Sequence, residues 1–220
     1  MDNYKKNLKL LTENHVYSKE MEHDACGVGV IASTEGKKSR EIVEYGIEAL
    51  KAVWHRGAVD ADGKTGDGAG IHVEIPKDFF IEKIEVTGHD YDNSEICVGM
   101  IFLPRNDYSS QESCKTIVES ELTKNDFSIY GWRQVPVNPK VLGEKAFQTM
   151  PEIIQVLFKP YNPELTNKDL ERKIYETRRK IENEAFKKSL NNFYICSLSS
   201  KSIIYKGMFL LKLSQISTLF

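Results

Sequence analysis

Apolar positions along the chain change period several times, and those changes predict its elements. Runs rich in β-branched and aromatic residues at 26–33, 69–76, 95–104, 127–136, 152–159 and 193–209 predict strands. Between several of them the spacing lengthens to that of a helix. The stretch SREIVEYGIEALKAVWHRG places Ile42, Val43, Ile47, Leu50 and Val53 on one face and reaches a stop signal at Gly57. SSQESCKTIVESELTKND predicts a second helix. TNKDLERKIYETRRKIENEAFKKS predicts a third, with Leu170, Ile174, Ile181 and Ala185 as its apolar stripe. Thr166 and Asp169 fit a capping pair at its start. Many strands mixed with helices imply α/β or α+β layers. The chain shows no internal repeat, low-complexity segment or Pro/Ser-rich linker.

Composition narrows the function classes. With 220 residues the chain can bury a sizeable core, as one large domain or two small ones. A formal net charge of −2 supplies no general attraction to nucleic acid or to an anionic membrane. The Lys/Arg/Glu run of the third helix mixes signs at helical spacing, which describes a solvated, ion-paired face. No apolar run approaches the roughly 18 residues needed to span a bilayer. Residues 1–25 mix lysines with acids and lack the apolar centre of a secretory signal, so a cytoplasmic protein is expected.

Cys26, Cys97, Cys114 and Cys196 lie far apart and form no CxxC pair, so zinc or iron–sulfur spacing is absent and no metal site is expected. Cys97 and Cys196 sit inside apolar strand-like runs and read as small buried hydrophobes; Cys114, in the second helix, reads as structural too. Cys26 is different. It stands between a polar leader of 25 residues and the run CGVGVIAS. On composition alone it reads as another buried strand cysteine. If it became the first residue of a mature chain, the leader would have a purpose. A second candidate is the stretch WHRGAVDADGKTGDGAGIHVEIP, with Gly57, Gly63, Gly66, Gly68 and Gly70 among acids. A phosphate-binding loop follows a strand and opens a helix. Here a helix precedes and the alternating strand Ile71–Val73–Ile75 follows, which leaves a tight turn whose backbone can approach another group closely.

HDACGVGV, HRGAVDADGKTGDGAGI, YGWRQVPVN, PEIIQVLFKP and NFYICSLSSKSIIYKGM, in this order from about His23 to Met208, resemble the N-terminal glutaminase domain of glutamate synthase large subunits. That domain is a class II glutamine amidotransferase and an N-terminal nucleophile hydrolase. The resemblance implies an α+β fold, a four-layer αββα sandwich, here incomplete at the C-terminus. It implies a propeptide over 1–25, an amidotransferase part over 26–208 and a divergent tail over 209–220. Cleavage between Ala25 and Cys26 would expose Cys26 as the catalytic nucleophile. Arg56 and Gly57 would lie close to it, with Arg56 organising the site or contacting substrate, although Arg56 equally fits a structural ion pair. Asp67, in the TGDGAG loop, would help to shape the same cavity. The substrate would be glutamine, hydrolysed to glutamate and ammonia for glutamate synthesis. No cofactor is implied for this segment. FMN, an iron–sulfur cluster and an external electron donor, in some cases a small electron-donating subunit, are implied for the synthase domains that would follow.

The chain also departs from that family. It contains neither the histidine–serine–arginine–phenylalanine segment whose arginine holds the glutamine carboxylate nor the histidine–asparagine–glycine segment of the oxyanion hole. Its apolar end reads as a truncation. After YKGM the family continues toward Phe-Tyr-Pro, while Ile216, Ser217 and Thr218 are what a shifted reading of such codons can encode. A broken reading frame near Phe209 would explain the tail. Two alternatives stay open: a catalytically inactive truncated fragment, and another N-terminal nucleophile amidohydrolase on the same scaffold.

Overall fold

A computed structural model describes residues 2–14, 27–53, 57–165 and 167–208. Two antiparallel sheets organise them. The larger has the order β3-β4-β2-β5, built from β2 (Cys97–Leu103), β3 (Phe127–Gln134), β4 (Glu152–Pro160) and β5 (Tyr194–Ser199). The smaller pairs β1 (Ala69–Glu74) with β6 (Ser202–Gly207), in register from Ala69 opposite Gly207 to Glu74 opposite Ser202.

Helices α4 (Tyr108–Lys124) and α6 (Asn167–Lys187) cover one face of the larger sheet. Val118 and Leu122 of α4, Leu170, Ile174 and Ile181 of α6, and Ile101, Phe127, Val156 and Phe158 of the strands form one buried core there. The stripe expected for the third helix is therefore the face α6 buries. Its charged residues pair along the helix, Arg172–Glu176 on the solvent side and Arg178–Glu182 half-buried beside β5, where Arg178 also donates to the Ile195 carbonyl. On the sheet's other face Val98, Met100, Tyr130 and Leu157 meet Ile203 of β6 and Phe80 and Ile84 of α3 (Lys77–Val86). Helix α2 (Arg40–Ala52) packs Val43 and Ile47 against Ala69 and Ile71 of β1. The order is thus helices, large sheet, small sheet, helix: an α+β sandwich.

Several expectations change on folding. The run 26–33 is not a strand over its described residues, Gly27 to Ser33, and Val28 and Val30 are 88% and 86% exposed. Alternating apolar positions make a strand only where a neighbour completes the hydrogen-bond ladder, and no described strand pairs with this segment. The single strand expected over 193–209 is two, broken at Ser200–Lys201. There the Glu171 carboxylate of α6 accepts hydrogen bonds from the Ser199 and Ser200 hydroxyls and from the Ser200 amide at 2.6 Å. Those bonds turn the chain from the large sheet into the small one. Helix α2 stops at Val53 rather than at Gly57, and its start is capped by Ser39, whose hydroxyl accepts from the Ile42 amide.

Helix α1 (Asp2–Asn14) lies in the leader, with Lys9 and Glu13 paired one turn apart. Like α3 and the short α5 (Glu144–Gln148), it is absent from the sequence-based expectation. In α3 the buried residues are Phe80 and Ile84, one turn apart in a ten-residue helix that also carries Lys77, Asp78, Glu82, Lys83 and Glu85. The capping pair Thr166–Asp169 involves a residue outside the described set, as does the tail 209–220. No described helix is long and apolar enough to cross a membrane.

Candidate active site

Cys26 and Arg56 lie outside the described residues, so the geometry available is that of the glycine-rich loop joining α2 to β1. Gly57 opens its described part. Just after it, the Ala58 amide donates to Asp67 Oδ2 at 2.8 Å. Val59 and Gly66 face each other as an isolated bridge, and the Asp60 amide donates to the Thr65 carbonyl at 2.9 Å. The loop is therefore a closed hairpin. It brings Gly57 and Asp67 to a common base, and Asp67 acts on the loop's own backbone there.

The tip of the hairpin is tied down by Asp62. Its Oδ1 accepts from the Lys64 and Thr65 amides at 2.9 and 2.7 Å, and its Oδ2 accepts from the Thr65 hydroxyl at 2.6 Å. Those donors, the Thr65 hydroxyl foremost, hold the Asp62 carboxyl well below the usual carboxylate range. Gly63 takes φ +69°, a left-handed conformation that favours glycine, and its amide donates back to the Asp60 carbonyl. Thr65 is 2% exposed.

What buries Thr65 is the segment entering α5. The Ala146 amide reaches Thr65 Oγ1 at 3.4 Å, and Lys145 Nζ donates to Asp60 Oδ2 at 2.6 Å. That ion pair lowers the Asp60 carboxyl and raises the Lys145 ammonium. Gly143 makes the approach possible. A Cβ built there would run into Asp62 Oδ2 and Thr65 Oγ1, and would stand 2.6 Å from the Thr65 nitrogen. The D-G pair at the tip signals a turn in the sequence. Its partners at Gly143, Lys145 and Ala146, some eighty positions away, carry no local signal of their role.

The segment from Val135 to Pro151 has a second side. It walls a largely apolar groove of about 980 Å³, with Phe102, Val137, Leu142 and Tyr205 among its lining and Arg105 and Lys206 at polar positions. One stretch of chain thus faces the groove and grips the glycine-rich loop.

The three described thiols are all buried. Cys97, Cys114 and Cys196 are buried in β2, α4 and β5, and burial raises all three, Cys114 to about 11. Among the described residues no three acidic, histidine or cysteine side chains converge as a metal site, so they do not fit an iron–sulfur cluster.

Alignments with glutamate synthases cover most of this chain. Over 207 residues the chain is 53% identical to the glutamate synthase [NADPH] large chain of Azospirillum brasilense, covering 94% of this chain and 14% of that one. It is 40% identical over 189 residues to ferredoxin-dependent glutamate synthase 1 of Arabidopsis thaliana, covering 85% and 12%. With the ferredoxin-dependent glutamate synthase of Pyropia yezoensis the identity is 39% over 204 residues, covering 91% and 13%. The chain thus spans only 12–14% of the length of these relatives. The family profile described as class-II glutamine amidotransferases matches residues 26–219, nearly the whole chain beyond the leader, and this protein belongs to that family.

Proposed function

We propose that this chain is the glutamine-hydrolysing part of a glutamate synthase and that Cys26 becomes its N-terminal nucleophile. One observation carries the reading: the family match begins at Cys26, the residue that removal of the polar leader would expose. The chemistry explains why exposure matters. A thiol attacking the carboxamide of glutamine needs a base to take its proton. A free α-amino group has a reference pKa of about 7.7–8.0 and can serve near neutrality, whereas the same nitrogen in a peptide bond cannot. Cleavage of the Ala25–Cys26 bond creates that base on the residue that carries the nucleophile.

The thiol proton passes to the α-amino group as sulfur bonds to the side-chain carbonyl carbon of glutamine. The resulting ammonium then protonates the leaving nitrogen, and ammonia departs from a thioester. Water hydrolyses the thioester to glutamate and regenerates the thiol. Gly27 leaves the backbone beside the sulfur free of a side chain. Arg56 and Gly57 lie next to the nucleophile in this reading, and the hairpin that ends at Asp67 walls the substrate cavity. The ammonia serves glutamate synthesis in domains beyond this segment, where FMN, an iron–sulfur cluster and an external electron donor belong. We place the enzyme in the cytoplasm, because the leader lacks the apolar centre that secretion requires.

The test uses a hybrid in which this chain replaces the aligned 207 residues of the Azospirillum brasilense relative. Intact mass or N-terminal sequencing of active protein should show Cys26 as the first residue, and Cys26→Ala should abolish ammonia release from glutamine. Active protein that still begins at Met1, or activity that survives Cys26→Ala, would remove Cys26 from this role.

A further inference from the structure

The contacts between the glycine-rich hairpin and the α5 entry do more than close a turn. The hairpin's base carries Gly57, with Arg56 next in sequence, and Asp67. Its tip is held from outside by residues more than seventy positions away. A hairpin held at its base only would be free to change its angle to the rest of the fold, and in the reading above the hairpin walls the glutamine cavity. We propose that Asp62, Thr65 and Gly143 are positioning residues of the glutamine site, forming a clasp that sets the orientation of the hairpin; this rests on the glutaminase reading above.

Three features distinguish the clasp from an ordinary loop contact. Thr65 is nearly fully buried, with Gly66 beside it, in a loop whose other residues are mostly exposed. Its hydroxyl is used twice, donating to Asp62 and accepting from Ala146. Gly143 leaves no room for any side chain, so the two segments meet backbone to side chain rather than through adjustable side-chain ends. Such contact transmits position closely, because a buried, hydrogen-bonded group has few alternative arrangements. Lys145–Asp60 adds a solvent-exposed ion pair to the same junction and contributes less.

The clasp acts on the ground-state fit of the substrate rather than on the sulfur. Loss of such binding, present equally in ground and transition states, raises KM and leaves kcat unchanged. Thr65→Val keeps the shape and removes the hydroxyl, whereas Thr65→Ser keeps the hydroxyl. In the hybrid, Thr65→Val should raise KM for glutamine on the order of tenfold with kcat near the parental value. Thr65→Ser should restore KM. Amide exchange of the 57–68 segment in the 220-residue chain should be faster in Thr65→Val. The exposed Lys145→Ala decides the matter if Thr65→Val fails to fold, and it should raise KM by a smaller factor.

Faster exchange in 57–68 with parental KM would overturn the proposal and leave the clasp a structural contact. A loss confined to kcat, or no rescue by Thr65→Ser, would overturn it as well. A parental hybrid without hydrolysis dependent on Cys26 would remove the glutaminase reading itself, and with it the site the clasp positions. Parental activity combined with an inert clasp would remove the clasp alone.

Discussion

Gly99 offers a sharp test of the packing, because local and tertiary arguments give opposite signs. It lies in the middle of β2, opposite Val156 of β4 on one side and Leu198 of β5 on the other. Glycine inside a strand or helix costs about 0.5–1 kcal/mol relative to alanine, so local reasoning predicts that Gly99→Ala stabilises the chain. The structure reverses this. A methyl group at Gly99 would stand 2.6 Å from Leu198 Cδ1 and 2.6 Å from Val156 Cγ1. Favourable carbon–carbon separation is about 3.5–4.0 Å, so both neighbours would have to retreat by roughly 1 Å. Both belong to the core beneath α4 and α6, with Val156 wholly buried, and neither has solvent to move into.

Overpacking of this kind costs about 1–3 kcal/mol, which outweighs the local gain. At about 2–4 °C per kcal/mol for a domain of this size, Tm should fall by several degrees. Urea unfolding followed by circular dichroism measures the change. Val156→Ala in the same chain removes one of the two clashes, so the double variant should be more stable than the sum of its parts by on the order of 0.5–3 kcal/mol. A Gly99→Ala chain as stable as the parent, or strict additivity in the double variant, would refute the packing argument.

Three further outcomes are expected. The Asp92 carboxyl is lowered chiefly by the Lys159 ammonium, with Ser94 and Tyr130 as further donors. The stability this group contributes is therefore present above its ordinary value of about 3.9 and is lost as pH falls through the lower folded value. Thermal unfolding of Asp92→Asn and parent should converge in strong acid and stay separated near neutrality; a constant gap down to low pH would refute this. Cys97, Cys114 and Cys196 should react with Ellman's reagent at pH 8 only after unfolding, and rapid native labelling of Cys97 by peptide mapping would contradict its burial. The 220-residue chain assayed alone should release little ammonia from glutamine and should label with the glutamine analogue DON slowly and without saturation. The segments to which the resemblance assigns the carboxylate clamp and the oxyanion hole do not occur in these 220 residues, and each lost oxyanion donor costs about 10²–10³ in rate. Rapid saturable labelling at Cys26 would show that other residues complete the site.

Much of this architecture was legible along the chain wherever an element repeats its pattern over several turns or pleats. Leu170, Ile174, Ile181 and Ala185 named the buried face of α6, and the runs around Cys97 and Ile154 named the central strands. Burial on one side imposes a period that survives without knowledge of the partner. The candidate nucleophile stands on the resemblance: on composition alone Cys26 reads as a buried strand cysteine, and the family pattern from His23 to Met208 is what singles it out. The hairpin's own turn at Asp62–Gly63 was legible as well.

Tertiary structure decided the rest. The strand pattern at 26–33 could not announce that no described neighbour completes its ladder. The break at Ser200 depends on Glu171, nearly thirty residues earlier. Gly143 is an unremarkable glycine until the Asp62 carboxylate lies against it, and Gly99 is a weak strand residue until Val156 and Leu198 close over it. Periodicity records which face of an element is buried, because that requirement acts on every residue of the element. Which distant group occupies a given contact acts on one or two residues only, and so leaves no periodic trace until the chain has folded.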